Sequence, residues 1–228
     1  MKLMQSWDDR KNRNKDCREI FSRIYEKHDW GGKLKYYSGD GSYNRQVTEP
    51  YCDMMKKFIS DNHIKSVCDL GCGDFHVASQ WITDGISYTG LDVVGSMVSS
   101  LNHRFGSPVR GGVRFLCRDI TRDPLPDAEL CVIRQVLQHL SNREIEKILD
   151  QVRKYPYVLI TEHVVRKRSA KQYNRDKVHG GQTRVVSGSG VYLDEAPFNL
   201  EIKTVLKIPY SGMGRKNEEM VTVLLKNE

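Results

Sequence analysis

Short apolar runs typical of strands alternate with amphipathic stretches from residue 65 onward, and this alternation limits the fold more than any other feature. The runs cover residues 66–70, 86–92, 113–117, 129–136 and 157–161. Helical patterns lie between them near residues 76–83, 96–105 and 142–154. Such alternation predicts a parallel sheet with helices on both faces. Two later runs, residues 200–208 and 220–225, have no helical pattern between them and predict a closing pair of strands.

Two helices are predicted before the first strand. Apolar side chains share one helical face within residues 17–28. In the second helix, Thr48 is the expected N-cap and Pro50 lies in the first turn. A loop rich in glycine and tyrosine, residues 30–43, joins the two helices.

The length of 228 residues fits one domain. Within it, we expect N-terminal helices and a covering loop in residues 1–62 and a ligand-binding core in residues 65–163. Residues 164–199 form too long a connection for a simple turn and are expected to be a lid or acceptor loop. Residues 200–228 supply the closing strands.

Composition places the chain among soluble globular proteins. Hydrophobic residues make up 39% and charged residues 29%, and no apolar run approaches the ~20 residues that a membrane span needs. Charged residues enter the first nine positions, which is not typical of a secretory signal, so a cytoplasmic location is expected. The six cysteines contain no C-x-x-C pair and are expected to be reduced.

A basic segment follows the fifth predicted strand. Residues 165–184 contain seven lysines and arginines and a single acid, Asp176. Charge runs of this kind are usually solvated loops, but they also attract anions. The segment is therefore compatible with an anionic acceptor or a nucleic-acid partner.

Acidic residues and glycines follow three successive strands. Asp69 precedes a turn that consists of Gly71, Cys72, Gly73, Asp74 and Phe75. Asp92 ends the second strand, and Asp119 with Ile120 follows the third. Ligands of open α/β sheets bind outside the carboxyl ends of the strands. There Asp92 would accept both hydroxyls of a ribose, while Asp119 and Ile120 suit the amine and ring face of adenine.

The glycine turn distinguishes between nucleoside ligands. A dinucleotide-binding turn has a third glycine in G-x-G-x-x-G, where this chain has His76. Asp69 and Asp74 on both sides of the turn would repel a pyrophosphate and suit a cation. S-adenosylmethionine carries a sulfonium and an ammonium and no phosphate. The sequence therefore predicts S-adenosylmethionine as the cofactor and S-adenosylhomocysteine as its product.

These motifs resemble those of the class I S-adenosylmethionine-dependent methyltransferases. Residues 69–75 resemble the glycine motif of that family, Asp92 and Val93 its ribose-binding position, and Asp119 its adenine acid. Phe75 departs from the pattern, since many members have a third glycine there. The run that ends in Arg134 and Gln135 resembles the fourth strand, which lines the methionine end of the cofactor.

The resemblance extends over residues 65–162 and implies a three-layer Rossmann-like fold. In that fold a seven-stranded sheet is mostly parallel and has an antiparallel C-terminal strand. A narrower resemblance is to small methyltransferases encoded beside or fused to glycan-assembling enzymes. It lies in residues 30–31, 38–42, 125–130, 136–142 and 192–199. It implies O-methylation of a hydroxyl on a sugar, a glycan or a related small metabolite.

Methyl transfer to a hydroxyl depends on positioning and on a base that removes the proton. His139, in the turn after the fourth strand, and His163, at the end of the fifth, are the candidate catalytic bases. Glu162 is a candidate to orient the substrate. No spacing typical of metal ligands is evident, so no metal is expected.

The acceptor side of the site is predicted to combine the two long loops. The candidate substrate contacts there are Trp30, Tyr43, Arg184 and Tyr192. A second hypothesis is an RNA- or protein-directed methyltransferase that docks through the basic segment. It is disfavoured because no Asn-Pro-Pro-Tyr-like tetrapeptide follows the fourth strand. A third, a non-catalytic S-adenosylmethionine-binding module, is disfavoured by the intact acids at all three strand ends.

Overall fold

A seven-stranded sheet forms the centre of the protein, whose computed structural model describes residues 10–106, 112–212 and 217–225. The strands are β1 (Ser66–Leu70), β2 (Ser87–Asp92), β3 (Val113–Cys117), β4 (Leu130–Arg134), β5 (Tyr157–Val165), β6 (Ile202–Pro209) and β7 (Glu218–Leu225). Their order is β3-β2-β1-β4-β5-β7-β6. The first five strands are parallel, and β7 runs antiparallel to both β5 and β6. The predicted mostly parallel sheet with an antiparallel C-terminal strand is confirmed.

Helices cover both faces of this sheet. They are α1 (Cys17–Glu26), α2 (Asp40–Tyr43), α3 (Arg45–Asp61), α4 (Gly95–Phe105) and α5 (Asn142–Val152). Apolar side chains of α5, such as Ile145 and Ile148, are buried in the core on one face. Met55 of α3 and Met97 of α4 are buried in the core on the other face. The two cores with the sheet between them give the predicted three layers.

Local signals predicted some helix ends and missed others. The capping box of α5 is confirmed, since Ser141 and Glu144 bond each other's backbone N–H groups. The prediction for α3 was wrong, because Asn44 accepts a hydrogen bond from the backbone of Gln46 and caps the helix four residues before Thr48. The helix expected over residues 76–83 is a single 3-10 turn.

Strand β5 is longer than its apolar run. It continues to Val165, although its pairing with β4 ends at Thr161. The additional residues pair with the antiparallel strand β7, and the apolar run did not predict them.

All six cysteines are free. Among the described residues, none of the helices combines the length and apolarity that crossing a bilayer requires. The interpretation of the first nine residues falls outside the part of the chain that the structure describes.

Candidate active site

A cavity opens at the carboxyl ends of β1, β2 and β4, and α1 forms one of its walls. Its empty volume is about 1090 Å³, including the open mouth. Most of the predicted site residues line it together: Trp30, Asp69, Gly71, Cys72, Gly73, Asp74, Asp92, Val93, Asp119, Ile120, Arg134, Gln135 and His139. The strand ends therefore meet at one site, as the parallel sheet predicts.

The turn after β1 has a backbone that favours glycine. Gly71 and Gly73 have φ values of 72° and 58°. A Cβ on Gly71 would lie 2.5 Å from Val136, and one on Gly73 would lie 2.6 Å from the Ser38 hydroxyl. Phe75 also has a positive φ, but it does not line the cavity. Its ring packs in the core against neighbouring aromatic rings, which corrects its assignment to the cofactor site.

Two buried carboxylates stand at the ends of β1 and β2. Asp92 accepts hydrogen bonds from the backbone N–H groups of Gly73 (3.1 Å) and Val94 (3.0 Å) and thereby joins the two turns. Asp69 accepts one from the Tyr88 hydroxyl at 2.7 Å. Burial raises the pKa of each carboxyl to about 6, despite these hydrogen bonds. A cation in the cavity would favour their ionised forms.

Asp74 fastens the N-terminal loop to the glycine turn. Its carboxylate accepts hydrogen bonds from the Ser38 backbone (3.2 Å) and the Tyr43 hydroxyl (2.8 Å). The Asp74 N–H donates in return to the Ser38 hydroxyl. Tyr43 stacks on His76 and does not line the cavity, so its predicted role as a substrate contact is corrected. It contacts Asp74, which does line the cavity.

Arg134, at the end of β4, places a cation in the same wall. Its Nη2 donates to the carbonyl of Gly41 at 2.7 Å, and its guanidinium lies 4.9 Å from the ring centre of Tyr51. The amide oxygen of Gln135, in the orientation that satisfies both groups, accepts from Arg134 at 3.0 Å. Arg134 also attracts Asp69, so a positive and a negative side chain meet on adjacent strands.

His139 lies on a 3-10 turn, Leu137–His139, that follows β4. Its Nδ1 donates a hydrogen bond to the carbonyl of Gly180 at 3.1 Å, because a carbonyl can only accept. The ring packs beside Trp30, with 5.3 Å between the ring centres. Burial, and then repulsion from Lys177, lower the pKa of His139 to about 3. The imidazole is therefore neutral, with Nε2 as its hydrogen-bond acceptor.

Glu162 stabilises this turn through hydrogen bonds to its backbone. Its carboxylate accepts the backbone N–H groups of Val136 (3.2 Å), Leu137 (2.8 Å) and Gln138 (3.1 Å). Glu162 is buried and does not line the cavity. The prediction that it contacts substrate is corrected: it organises the turn that carries His139.

Three further predicted residues lie outside the cavity. His163 is buried, with Nε2 3.0 Å from Glu218, and burial lowers the pKa of this imidazole to about 4. Arg184 is fully buried and donates to the carbonyl of Leu140 at 2.7 Å. Tyr192 is buried and donates to a backbone carbonyl of β5. The structure therefore does not bring the predicted base His163 or the predicted substrate contacts Arg184 and Tyr192 into this cavity.

The sequence did not single out several residues that line the cavity. They are Cys17, Phe21, Tyr25, Ser38, Ser42, Tyr51, Val77, Ala78, Trp81, Arg118, Thr121, Val136, Gln138 and Leu140. Phe21 and Tyr25 belong to the apolar face of the first helix, which predicts burial but not what it is buried against. Most of the others carry no local signal, because their position depends on packing between distant segments.

The middle of the chain matches a family model. Residues 67–155 match the family model described as a methyltransferase domain. The matched segment runs from β1 to the residues just after α5. The protein is an S-adenosylmethionine-dependent methyltransferase. No curated protein matches the sequence.

Solved structures with the same fold include three methyltransferases. Human N-acetylserotonin methyltransferase, in complex with S-adenosylmethionine, has a TM-score of 0.56 at 15% identity, over 92% of this chain and 59% of that one. Magnesium protoporphyrin IX methyltransferase from Synechocystis PCC 6803 has a TM-score of 0.57 at 13% identity, over 92% of this chain and 98% of that one. The N-methyltransferase NodS from Bradyrhizobium japonicum WM9 has a TM-score of 0.56 at 12% identity, over 90% of this chain and 98% of that one. At these identities the similarity shows the fold alone.

Part of the basic segment of the methyltransferase is engaged within the protein. Lys167 pairs with Asp194 at 2.7 Å and with Glu195 at 2.6 Å. Arg166 lies 3.5 Å from Glu219, and Lys177 is buried against backbone carbonyls. With the buried Arg184, four of the seven basic side chains are engaged. This arrangement weakens the hypothesis of an RNA-docking surface.

A cluster of Cys17, Glu144 and His179 joins three segments beside the cavity, with ligand-type atoms within 4.8 Å of one another. His179 Nδ1 lies 2.6 Å from the Glu144 carboxylate, and Nε2 lies 2.8 Å from the carbonyl of Lys15. Two ligands of one tetrahedral zinc ion would be roughly 3.3 Å apart, so the shorter contact is a hydrogen bond. Both nitrogens face acceptors, and His179 is therefore an imidazolium that links α1, α5 and the basic segment.

This link makes stability depend on pH. The hydrogen bond that His179 donates to Glu144 raises the pKa of His179 against the effect of burial. Burial would raise the pKa of Glu144, but the bonds donated by His179 and Ser141 outweigh it and lower that pKa to about 2. Below an unfolded-state pKa of about 6.5, the raised pKa gives its full stabilisation, which is lost as pH rises through the folded-state value. His179→Gln should therefore lower the melting temperature most near pH 6 and least at alkaline pH.

The matched control is His103→Gln, since His103 is exposed on α4. Thermal melts of both variants between pH 5 and pH 9 (about the range that keeps carboxylates ionised) test the link. A destabilisation by His179→Gln that is equal at all pH values would contradict an imidazolium.

Proposed function

We propose that this methyltransferase transfers the methyl group of S-adenosylmethionine to a hydroxyl of a sugar, a glycan or a related small metabolite. The proposal depends most on one observation: a neutral imidazole, His139, lies beside the indole of Trp30 in the wall of the cofactor cavity. A neutral acceptor and an aromatic face suit an uncharged hydroxylated ring better than a charged group.

The charges of the cavity support a cationic cofactor. Asp69, Asp74, Asp92 and Asp119 line it, against two arginines. In the proposed binding mode, Asp92 accepts the ribose hydroxyls, and Asp119 with the adjacent Ile120 holds adenine. Asp69 then binds the ammonium of the methionine end and Arg134 its carboxylate, because a zwitterion matches oppositely charged side chains on adjacent strands.

The chemistry is an in-line displacement at the sulfonium methyl. The acceptor oxygen forms a bond to the methyl carbon while the carbon–sulfur bond breaks and its electron pair returns to sulfur. The oxygen becomes positively charged as this bond forms, and a protonated ether is a far stronger acid than an imidazolium with a pKa of about 3. Nε2 of His139 can therefore take the proton late in the reaction, which leaves the methyl ether and S-adenosylhomocysteine.

Acceptor class is tested directly with methyl-labelled S-adenosylmethionine. The purified protein is incubated with neutral monosaccharides and oligosaccharides, primary amines, carboxylic acids and RNA, and the products are identified by mass spectrometry. We expect a sugar methyl ether. Methylation confined to amines, carboxylates or RNA would contradict the proposed acceptor.

The ribose role of Asp92 predicts a loss of cofactor affinity. Asp92→Ala removes the acceptor for the ribose hydroxyls and should weaken binding by roughly 1–3 kcal/mol, or about 5- to 150-fold in Kd. Isothermal titration with S-adenosylhomocysteine measures it, and a thermal melt confirms that the variant is folded. Asp84→Ala, which removes an exposed carboxylate outside the cavity, is the control. An unchanged Kd for Asp92→Ala would refute the role.

A further inference from the structure

The backbone of the turn after β4 offers the cavity no free N–H donor. The backbone N–H groups of residues 136–138 are all bound by the carboxylate of Glu162. Three polar side chains of this turn line the cavity: the Gln135 amide is bonded to Arg134, His139 has Nε2 as an acceptor, and Gln138 carries an amide. An anionic acceptor needs donors, so this turn does not suit a carboxylate or a phosphate.

The orientation of the Gln138 amide follows from its neighbour. Its Nε2 donates to the carbonyl of Gln135 at 3.3 Å. The reverse orientation would place two oxygens against each other. The amide oxygen Oε1 must therefore point the other way.

That oxygen is a buried acceptor without a partner, in a residue that lines the cavity. Gln138 is only 2% exposed, and its Oε1 has no hydrogen-bond partner among the described residues. A buried polar atom without a partner is costly and in native proteins marks a strained or functional position. A ligand that donates a hydrogen bond here would remove the penalty.

Two adjacent acceptors and an aromatic face together indicate the form of the ligand. Gln138 and His139 are consecutive residues of one turn, and Trp30 packs beside the imidazole. Two donors held by consecutive residues fit a vicinal diol, whose ring carbons can pack on the indole. A protonated amine would also donate, but neither acceptor is charged to compensate it.

We infer that Gln138 is a specificity-determining residue of the acceptor site and that the site takes a neutral vicinal diol on a ring. The hydroxyl held by His139 is methylated, and the neighbouring hydroxyl donates to Gln138 Oε1. This inference rests on the proposed methylation of a sugar hydroxyl. It also replaces the expectation of an anionic acceptor with a neutral one.

The test combines a change in the protein with a change in the substrate. Gln138→Leu keeps the approximate shape and removes the amide, and Gln172→Leu, at an exposed position, is the control. The probes are methyl glycosides of neutral hexoses and their monodeoxy derivatives, in which one hydroxyl of each diol is absent. Initial rates give kcat/KM, and isothermal titration gives the Kd for S-adenosylhomocysteine.

With the intact diol, Gln138→Leu should lower kcat/KM about 10- to 100-fold through KM, with no change in the Kd for S-adenosylhomocysteine. With the monodeoxy glycoside that lacks the neighbouring hydroxyl, the same substitution should have little effect, because the bond is already absent.

The other possible outcomes contradict either the inference about Gln138 or the proposed function. Equal losses with the intact and monodeoxy glycosides, or a weakened Kd for S-adenosylhomocysteine, would show that Gln138 does not read the hydroxyl. A preference for sugar phosphates or uronic acids would overturn the neutral diol. If the wild-type protein methylates sugars and Gln138→Leu does so equally well, the inference fails and the proposed function stands. If no glycoside is methylated, both fail.

Discussion

Replacement of Glu162 by alanine is expected to lower the free energy of unfolding by roughly 3 kcal/mol or more. The reason is that one carboxylate accepts three buried backbone N–H groups in the turn after β4, and each orphaned donor costs about 1–3 kcal/mol. Chemical denaturation of the purified variant measures the loss. Glu146→Ala, at an exposed position of α5, is the control for removal of a glutamate.

The Glu162→Gln variant distinguishes a role of Glu162 in positioning the turn from a role in the stability of the fold alone. The amide keeps one oxygen for the N–H groups of Val136 and Leu137, but its NH₂ faces the N–H of Gln138. We expect a folded protein that binds S-adenosylhomocysteine with nearly wild-type affinity and has a reduced kcat, because the turn that carries His139 shifts. A kcat equal to the wild-type value would contradict the positioning role.

Replacement of His139 by alanine is expected to lower kcat about 10²- to 10⁴-fold, the range typical of a lost general base. Cofactor affinity should change little, because in the proposed mode the strand-end acids bind the cofactor. Turnover is measured with the sugar acceptor found in the panel, and cofactor affinity by isothermal titration. Added imidazole should restore part of the rate to the alanine variant, since it can occupy the space left by the ring.

His163 provides the contrasting case. His163→Gln removes a buried ring that bonds Glu218 outside the cavity, so it should reduce stability and leave the kcat of the folded enzyme unchanged. If His163→Gln abolished turnover while His139→Ala did not, the assignment of the two histidines would be reversed.

The sequence predicted the parts of the protein that depend on local patterns. The bounds of β1 and β3 agree with their predicted runs. For β1 the reason is that a central parallel strand is buried on both faces and therefore needs continuous apolar residues. The capping box of α5 was readable because both partners lie within four residues. The start of α3 was not, since Asn44 caps the helix four residues before the predicted Thr48, and the backbone path decides which polar residue becomes the cap.

The sequence alone determined that the chain builds a mostly parallel sheet, with a glycine turn and acids at adjacent strand ends. Two things are sufficient for that result: apolar runs alternate with amphipathic stretches along the chain, and parallel strands end at one edge of the sheet. Tertiary structure decided that His139 and not His163 reaches the cavity. It also decided that Glu162 supports the turn and that Arg184 is buried. Each of these outcomes depends on contacts between segments distant in the chain, whose geometry no local spacing encodes.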